Sequence, residues 1–197
     1  MADHYFTANP SAPSRPEAVE LSLPDMRLTL QADRGVFSGG RVDPGTLALL
    51  KESPNPPAAG DLLDLGCGYG PIACALARRS PAATVWAVDV NSRALELTAA
   101  NAASLGMPNL RAASPDEVPP SVVFKGIWSN PPIRVGKDAL HELLSTWLDR
   151  LDAGGSAWLV VHRHLGSDSL AEWLGGKGWA VRRAASKSGY RVLEVAR

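Results

Sequence analysis

The sequence predicts a doubly wound α/β domain: a mostly parallel sheet with helices on both faces and a small β extension at its N-terminal side. Three observations carry this. From Asp61 onward short apolar runs alternate with helical patterns, glycines cluster directly after the first of those runs, and two alternating apolar–polar stretches precede the series. With 197 residues, 45% of them hydrophobic and 20% charged, the chain can bury one well-formed core.

The elements follow in order. Three prolines with Ser and Asn make residues 8–16 an extended arm, and the alternating runs 18–23 and 26–32 flank Leu23-Pro24-Asp25 as a hairpin. Arg34-Gly-Val-Phe-Ser38 and Gly39-Gly40 read as a loop. Asp43 then caps a helix through residue 50, with Pro44 at its first position. A proline-rich connector, 53–60, leads to strand 62–65, helix 72–79, strand 83–88 and the amphipathic helix 93–105 capped by Asn91 or Ser92. Strands at 109–112 and 122–128 precede the longest helix, 138–151, for which Gly154-Gly155 is the expected stop. Strand 156–161, a helix around 170–174, and a closing strand pair, 179–184 and 190–195, complete the chain. The organisation expected is an arm and hairpin over 1–33, packed on a main domain over 34–197.

Composition excludes several classes. Lys+Arg and Asp+Glu are both 20, so nothing global draws the chain to nucleic acid, and any such contact is local. Cys67 and Cys74 are too few for a disulfide framework and sit among glycines and alanines, as small buried thiols do. The start, Met-Ala-Asp-His-Tyr-Phe, lacks the basic-then-apolar pattern of a leader, and no apolar run is long enough to cross a bilayer. A reducing cytoplasm is the expected location, without membrane contact.

In an open α/β sheet, ligands bind off the carboxyl ends of the strands near the point where strand order reverses. Four stretches fall there. Asp64-Leu-Gly66-Cys-Gly68-Tyr-Gly70-Pro71 follows the first strand of the series, and its glycines let backbone approach a ligand. Pro71 occupies the place of the third dinucleotide-loop glycine, so the spacing does not ask for a pyrophosphate. Asp89 ends the next strand, where a carboxylate can accept both hydroxyl protons of a ribose. Ser114-Pro115-Asp116 follows the third strand and Asn130-Pro131-Pro132 the fourth. Read alone, Asn-Pro-Pro is as much a turn as a site. Its prolines end the ladder and hold Asn130 extended, which leaves carbonyls to offer and few donors.

Together, DLGCGYGP, DVNSRALELTAANA and SNPPIRVGK resemble the class I S-adenosylmethionine-dependent methyltransferases. RGVFS and VDPGT upstream, with GGSAWLVVHRHLG and KSGYRVLEV downstream, are similar to the RsmC-like small-subunit ribosomal RNA guanine-N2 methyltransferases, from about Arg34 to the end. The resemblance implies a Rossmann-like, mostly parallel seven-stranded sheet, S-adenosylmethionine as cofactor, no metal, and ribosomal RNA as partner. It implies that Asp64, Gly66, Cys67, Gly68 and Gly70 line the methionine part of the cofactor. Asp89 would hold the ribose, Val90, Asn91 and Asp116 would lie by the adenine, and Asn130 would meet both cofactor and substrate.

Asn130, Pro131 and Pro132 are the expected catalytic residues, the Asn130 oxygen and Pro131 carbonyl gripping the N–H bonds of a planar amine. Phe37, Ile133, Arg134 and Lys137 are the expected substrate contacts. Two positions depart from the family's pattern. Pro115 stands where an Asp is usual, with Asp116 one place on. Ile133 stands where many amino methyltransferases carry an aromatic, which leaves Phe37 to stack on the base. Arg163, Arg182, Arg183, Lys187 and Arg191 add local charge, and His162 and His164 lack the further ligands of a metal site. Trp128 and Trp158 read as core. A methyltransferase for a protein amide or a small molecule, and a non-catalytic S-adenosylmethionine-binding RNA-associated protein, are the alternatives.

Overall fold

The computed structural model describes residues 14–33, 36 and 40–197, the side chain of Arg134 excepted. Every second residue of β1 (Glu17–Leu23) and β2 (Met26–Ala32) is buried in most of their length, so the antiparallel hairpin has one core face. That face, Val19, Leu21, Leu28 and Leu30, joins the same cluster as the helices beneath it. Two side chains fasten the hairpin. Arg79 forks onto Asp25 at 2.8 and 3.0 Å, and Asn101 donates to the Gln31 carbonyl at 2.9 Å.

The main sheet alternates with helices: α1 (Pro44–Glu52), β3 (Ala59–Leu65), α2 (Pro71–Arg79), β4 (Ala82–Val88), α3 (Ser92–Ser104), β5 (Leu110–Ala113), β6 (Phe124–Ser129), α4 (Lys137–Leu148), β7 (Leu151–His162), α5 (Ser167–Gly176), β8 (Ala180–Lys187) and β9 (Tyr190–Ala196). The order across the sheet is β5-β4-β3-β6-β7-β9-β8, and β9 alone runs antiparallel to the others. The last four residues of β3 and of β4 are all buried, as strands covered on both faces require. One core, with Leu49, Ile72, Leu76, Ala94 and Trp128, holds α1, α2, α3 and the hairpin on one face; the other, with Leu63, Ile127, Leu144 and Leu170, holds α4 and α5. The expected doubly wound sheet is the observed one. Order reverses between β3 and β6, and Ser129 Oγ donating to the Leu65 carbonyl at 2.7 Å ties their ends together there.

β3 begins at Ala59, inside the expected connector, and β8 runs on to Lys187, but the boundary that differs most lies between α4 and β7. Helix α4 ends at Leu148, and Gly154 and Gly155 lie inside β7 instead of stopping a helix. Leu151 pairs with Phe124, after which the register shifts, and a Cβ on Gly155 would stand 2.9 Å from the Lys125 carbonyl oxygen. The glycines let β7 irregularly pass β6 at close range.

Candidate active site

Three cavities open around the carboxyl ends of β3, β4 and β6. A narrow slot of about 30 Å³ runs between Thr46, the loop Gly66–Tyr69, Asn91 and Asn130. An apolar cleft of about 200 Å³ lies among Leu65, Val88, Val90, Pro115, Pro132 and Leu143. A larger cleft of about 630 Å³ is walled by Asp43, Asn130, Pro131, Ile133, His162 and Tyr190. Asn130 borders the slot and the large cleft, Pro132 the slot and the apolar cleft. Asn-Pro-Pro therefore stands where the three meet.

The slot is built by the glycine loop. Gly66 and Cys67 donate to the Val88 carbonyl at 2.8 and 3.0 Å, which bends the chain across β4. Gly66 has φ 76° and nothing within 4 Å of where a Cβ would point, so its outer side is open. Gly70, with φ 85°, starts α2 and packs on Thr98, whose hydroxyl donates to the Gly68 carbonyl at 2.9 Å. Gly70 thus shapes the loop without lining the slot. Cys67 lines it, but burial holds its thiol far above the ordinary range, and burial pushes Cys74 up to about 12; both are packing groups.

Asp64 is placed differently from expectation. It is wholly buried on β3 behind the loop and does not line the slot. Its Oδ2 accepts from Ala73 N at 2.9 Å and so serves as the helix cap that Gly70 lacks. Its Oδ1 has no partner, and burial pushes its pKa to about 8. Tyr69 lines the slot, and its hydroxyl is likewise buried and unpartnered. Asp89 lies where expected, between the slot and the apolar cleft. It accepts from Gly68 N at 2.9 Å and Asn91 N at 3.0 Å, and burial raises its pKa despite both bonds. The Val90 N–H also bonds this carboxylate, and the rest of its roughly four acceptor sites is left for hydroxyl donors.

Val90 lines the apolar cleft and Asn91 the slot, where it also caps α3. Pro115, not the exposed Asp116, lines the apolar cleft: Asp116 sits in a 3₁₀ turn, and Ser114 and Glu117 close a capping box around it. That turn directs the proline ring inward.

The large cleft joins residues far apart in sequence. Asn130 Nδ2 donates to Asp43 Oδ1 at 2.8 Å and Thr46 Oγ1 at 3.2 Å. Since the amide nitrogen is held there, its oxygen is left for the cavities. Asp43 Oδ1 also caps α1 through Thr46 N at 3.0 Å. Tyr190 hydrogen-bonds Asp43 as well, and its pKa is raised by burial and by that carboxylate. The Pro131 carbonyl accepts from Ile133 N at 2.9 Å, so a donor does compete for it, and one lone pair remains. Ile133 borders the large cleft, and Lys137, exposed at the start of α4, lies in a neighbouring hollow. Phe37 and the side chain of Arg134 lie outside the described residues. The aromatic wall that is described is Tyr190 standing edge-on to His162, ring centres 5.0 Å apart. Sequence reasoning missed the Asp43–Thr46–Asn130 clamp; the only hint was Asp43's fitness as a helix cap.

Comparison with known proteins places this geometry. The Methyltransferase small domain family model matches residues 27–194. The chain is 34% identical to YbxB of Bacillus subtilis, described as an uncharacterized protein, over 99% of this chain and 98% of that one. It is 34% identical to ribosomal RNA small subunit methyltransferase C of Shewanella loihica, over 87% of this chain and 50% of that protein. Among solved structures it resembles the T. thermophilus 16S rRNA N2 G1207 methyltransferase (RsmC), solved with AdoMet and guanosine. The TM-score is 0.77 at 26% identity, over 95% of this chain and 52% of that one. The chain spans about half the length of these two named methyltransferases. With its glycine loop, strand-end aspartate and Asn-Pro-Pro at the switch point, the chain belongs to the methyltransferase small domain family.

Proposed function

We propose that this protein transfers a methyl group from S-adenosylmethionine to an exocyclic amine, the N2 of a guanine in small-subunit ribosomal RNA. The observation that carries the reading is Asn130, clamped through its nitrogen by Asp43 and Thr46 at the junction of the three cavities.

The site fits the cofactor in its parts. Open space at Gly66 and the unpartnered Tyr69 hydroxyl suit the polar amino-acid end, Asp89 suits a ribose diol, and the apolar cleft suits a flat base. Bound there, S-adenosylmethionine would supply an activated sulfonium methyl, which needs neither a metal nor a protein nucleophile. The work left to the chain is alignment and charge. An aromatic amine shares its lone pair with the ring, so it is a weak nucleophile until its N–H bonds are held. Asn130 Oδ1 and the remaining Pro131 lone pair are acceptors for those two bonds, and both stabilise positive charge that grows on the nitrogen. Asp43 is the only carboxylate lining the large cleft among the described residues, and it adds negative charge beside that position.

Guanine suits this lining better than adenine. Its Watson–Crick edge sets the N1–H donor directly beside the N2 amine, with the O6 acceptor beyond them, whereas adenine sets the N1 acceptor next to its amine. Asp43, Asn130 and Pro131 supply acceptors. The named relatives support RNA as the class of substrate. The test is transfer of labelled methyl to separated RNA, ribosomal-subunit and protein fractions, with Asn130→Ala as control. Label in RNA that digests to N2-methylguanosine and vanishes in the variant is expected. Label confined to protein would replace this reading with amide methylation.

A further inference from the structure

We propose that a basic hollow at the tip of the β8–β9 hairpin holds the backbone phosphate of the nucleotide whose base enters the large cleft. The proposal rests on RNA being the substrate. The hollow, about 230 Å³, is lined by Arg163, Arg183, Lys187 and Arg191 with the hydroxyl residues Ser186 and Ser188. Four cations meet two carboxylates there: Asp168 takes both Arg183 and Arg191, and Glu52 reaches Lys187 only at 3.8 Å. Arg163 has no carboxylate partner among the described residues; its side chain donates to His164 Nε2 at 3.0 Å.

The arrangement differs from charge scattered over a surface. Arg191 is fixed, held by Ser167 Oγ at 3.1 Å and by Asp168, with only 19% of its side chain exposed. Arg183 and Lys187 are half-exposed or more, and Arg163 is exposed, free to close on an anion. Arg182, the neighbouring cation on β8, is paired with Glu194 and does not line the hollow. The hairpin tip is itself constrained. Ser188 has φ 50°, the only described residue other than glycine with positive φ, and Gly189 follows with φ 84°. That two-residue turn brings Ser188 and Gly189 to the hollow's wall, and Arg163 N donates to the Gly189 carbonyl at 2.8 Å, locking the tip to the end of β7.

Position supplies the second argument. Tyr190 lines both the hollow and the large cleft, and Arg163 sits between His162 and His164, which line the cleft. A base entering the cleft therefore has its sugar-phosphate leaving past Tyr190, where guanidinium forks and hydroxyls await an oxyanion. Contacts to phosphate fix register on a nucleic acid and carry no sequence information.

The experiment is anisotropy of a labelled single-stranded RNA oligonucleotide with the whole chain, across a salt series. The proteins are wild type, Arg163→Ala/Lys187→Ala, and Arg182→Ala. Losing one phosphate contact should weaken binding about tenfold at low salt and reduce the log–log salt slope by about one. S-adenosylmethionine affinity should stay within twofold, and Arg182→Ala should bind as wild type. The proposal is overturned if wild type binds no RNA, if the double variant keeps its affinity and slope, or if Arg182→Ala loses as much. RNA held through the hollow but never labelled would instead refute the methyl-transfer reading and leave the hollow standing.

Discussion

Replacing Asp43 with alanine removes three bonds at one carboxylate: the cap to Thr46 N at 3.0 Å, the anchor of Asn130 Nδ2 at 2.8 Å, and the link to Tyr190. Loss of the cap costs about 1 kcal/mol. Freeing a half-buried amide from its shorter bond costs about 1 more, since Thr46 Oγ1 at 3.2 Å retains it only weakly. For a chain of this size the pair lowers Tm by roughly 4–8 °C. The larger effect is on rate. An Asn130 amide free to rotate offers its nitrogen as readily as its oxygen, and a misplaced stabilising group of this kind costs on the order of 10²-fold in kcat. Asp43→Asn keeps an oxygen for both donors, so Tm should hold while kcat falls about tenfold from the lost charge. Thermal scans and single-turnover methyl transfer read the two quantities separately. A folded Asp43→Ala protein with kcat within about threefold of wild type would refute the clamp as the source of alignment.

The remaining predictions concern the scaffold around the slot. Asp64 has its pKa raised from 3.8 to about 8, so its neutral form suits the fold: its stabilisation is intact below about pH 4 and is lost as pH rises toward 8. Asp64→Asn should flatten the decline in Tm between about pH 5 and pH 8, and an equally steep decline in the variant would exclude Asp64 as its source. Gly70→Ala combines a left-handed φ of 85° with a Cβ 2.9 Å from the Thr98 side chain that supports the Gly68 carbonyl. Calorimetric affinity for S-adenosylmethionine should fall about tenfold, and a change under twofold would show that the loop does not depend on that packing. Arg79→Ala removes the fork to Asp25 and the bond to the Leu50 carbonyl at 3.0 Å. Denaturant unfolding should register a loss of about 2 kcal/mol with an unchanged m-value, and a loss below about 0.5 would mean the hairpin is held by its apolar face alone.

What could be read from sequence divides along a physical line. Elements whose signal is local were legible: the burial alternation of β1 and β2, the Asn91 cap, the glycine loop and the strand end at Asp89. The end of α4 was not. Leu151 continues an apolar helical pattern, and only its pairing with Phe124 across the sheet makes it a strand residue. The same limit applies to Asp64, which as sequence is indistinguishable from a ligand contact and as structure caps α2 from behind. Pro115 and not Asp116 lines the apolar cleft because a 3₁₀ turn decides which of two neighbours points inward, and single-residue facing is not encoded in composition.

The division also separates the two halves of the chemistry. The slot is assembled mainly from the ends of β3 and β4 and the segments that directly follow, so most of its contacts lie within about a βαβ unit and leave a compact motif, while the apolar cleft adds Pro115, Pro132 and α4 to those strand ends. The large cleft draws Asp43 from before α1, Asn130 from after β6, His162 from the end of β7 and Tyr190 from the start of β9. Its central bond, Asp43 to Asn130, spans 87 residues. No window of sequence holds that set, so no short motif says which acceptor the cleft admits. On the proposed reading, acceptor selectivity rests on Asp43, His162 and Tyr190, which line the large cleft and neither of the other two cavities. The discriminating comparison is guanosine against adenosine as acceptor in Asp43→Asn: if the carboxylate reads the paired donors of guanine, its loss narrows the preference between the two nucleosides, and an unchanged ratio would assign selectivity to another wall of the cleft.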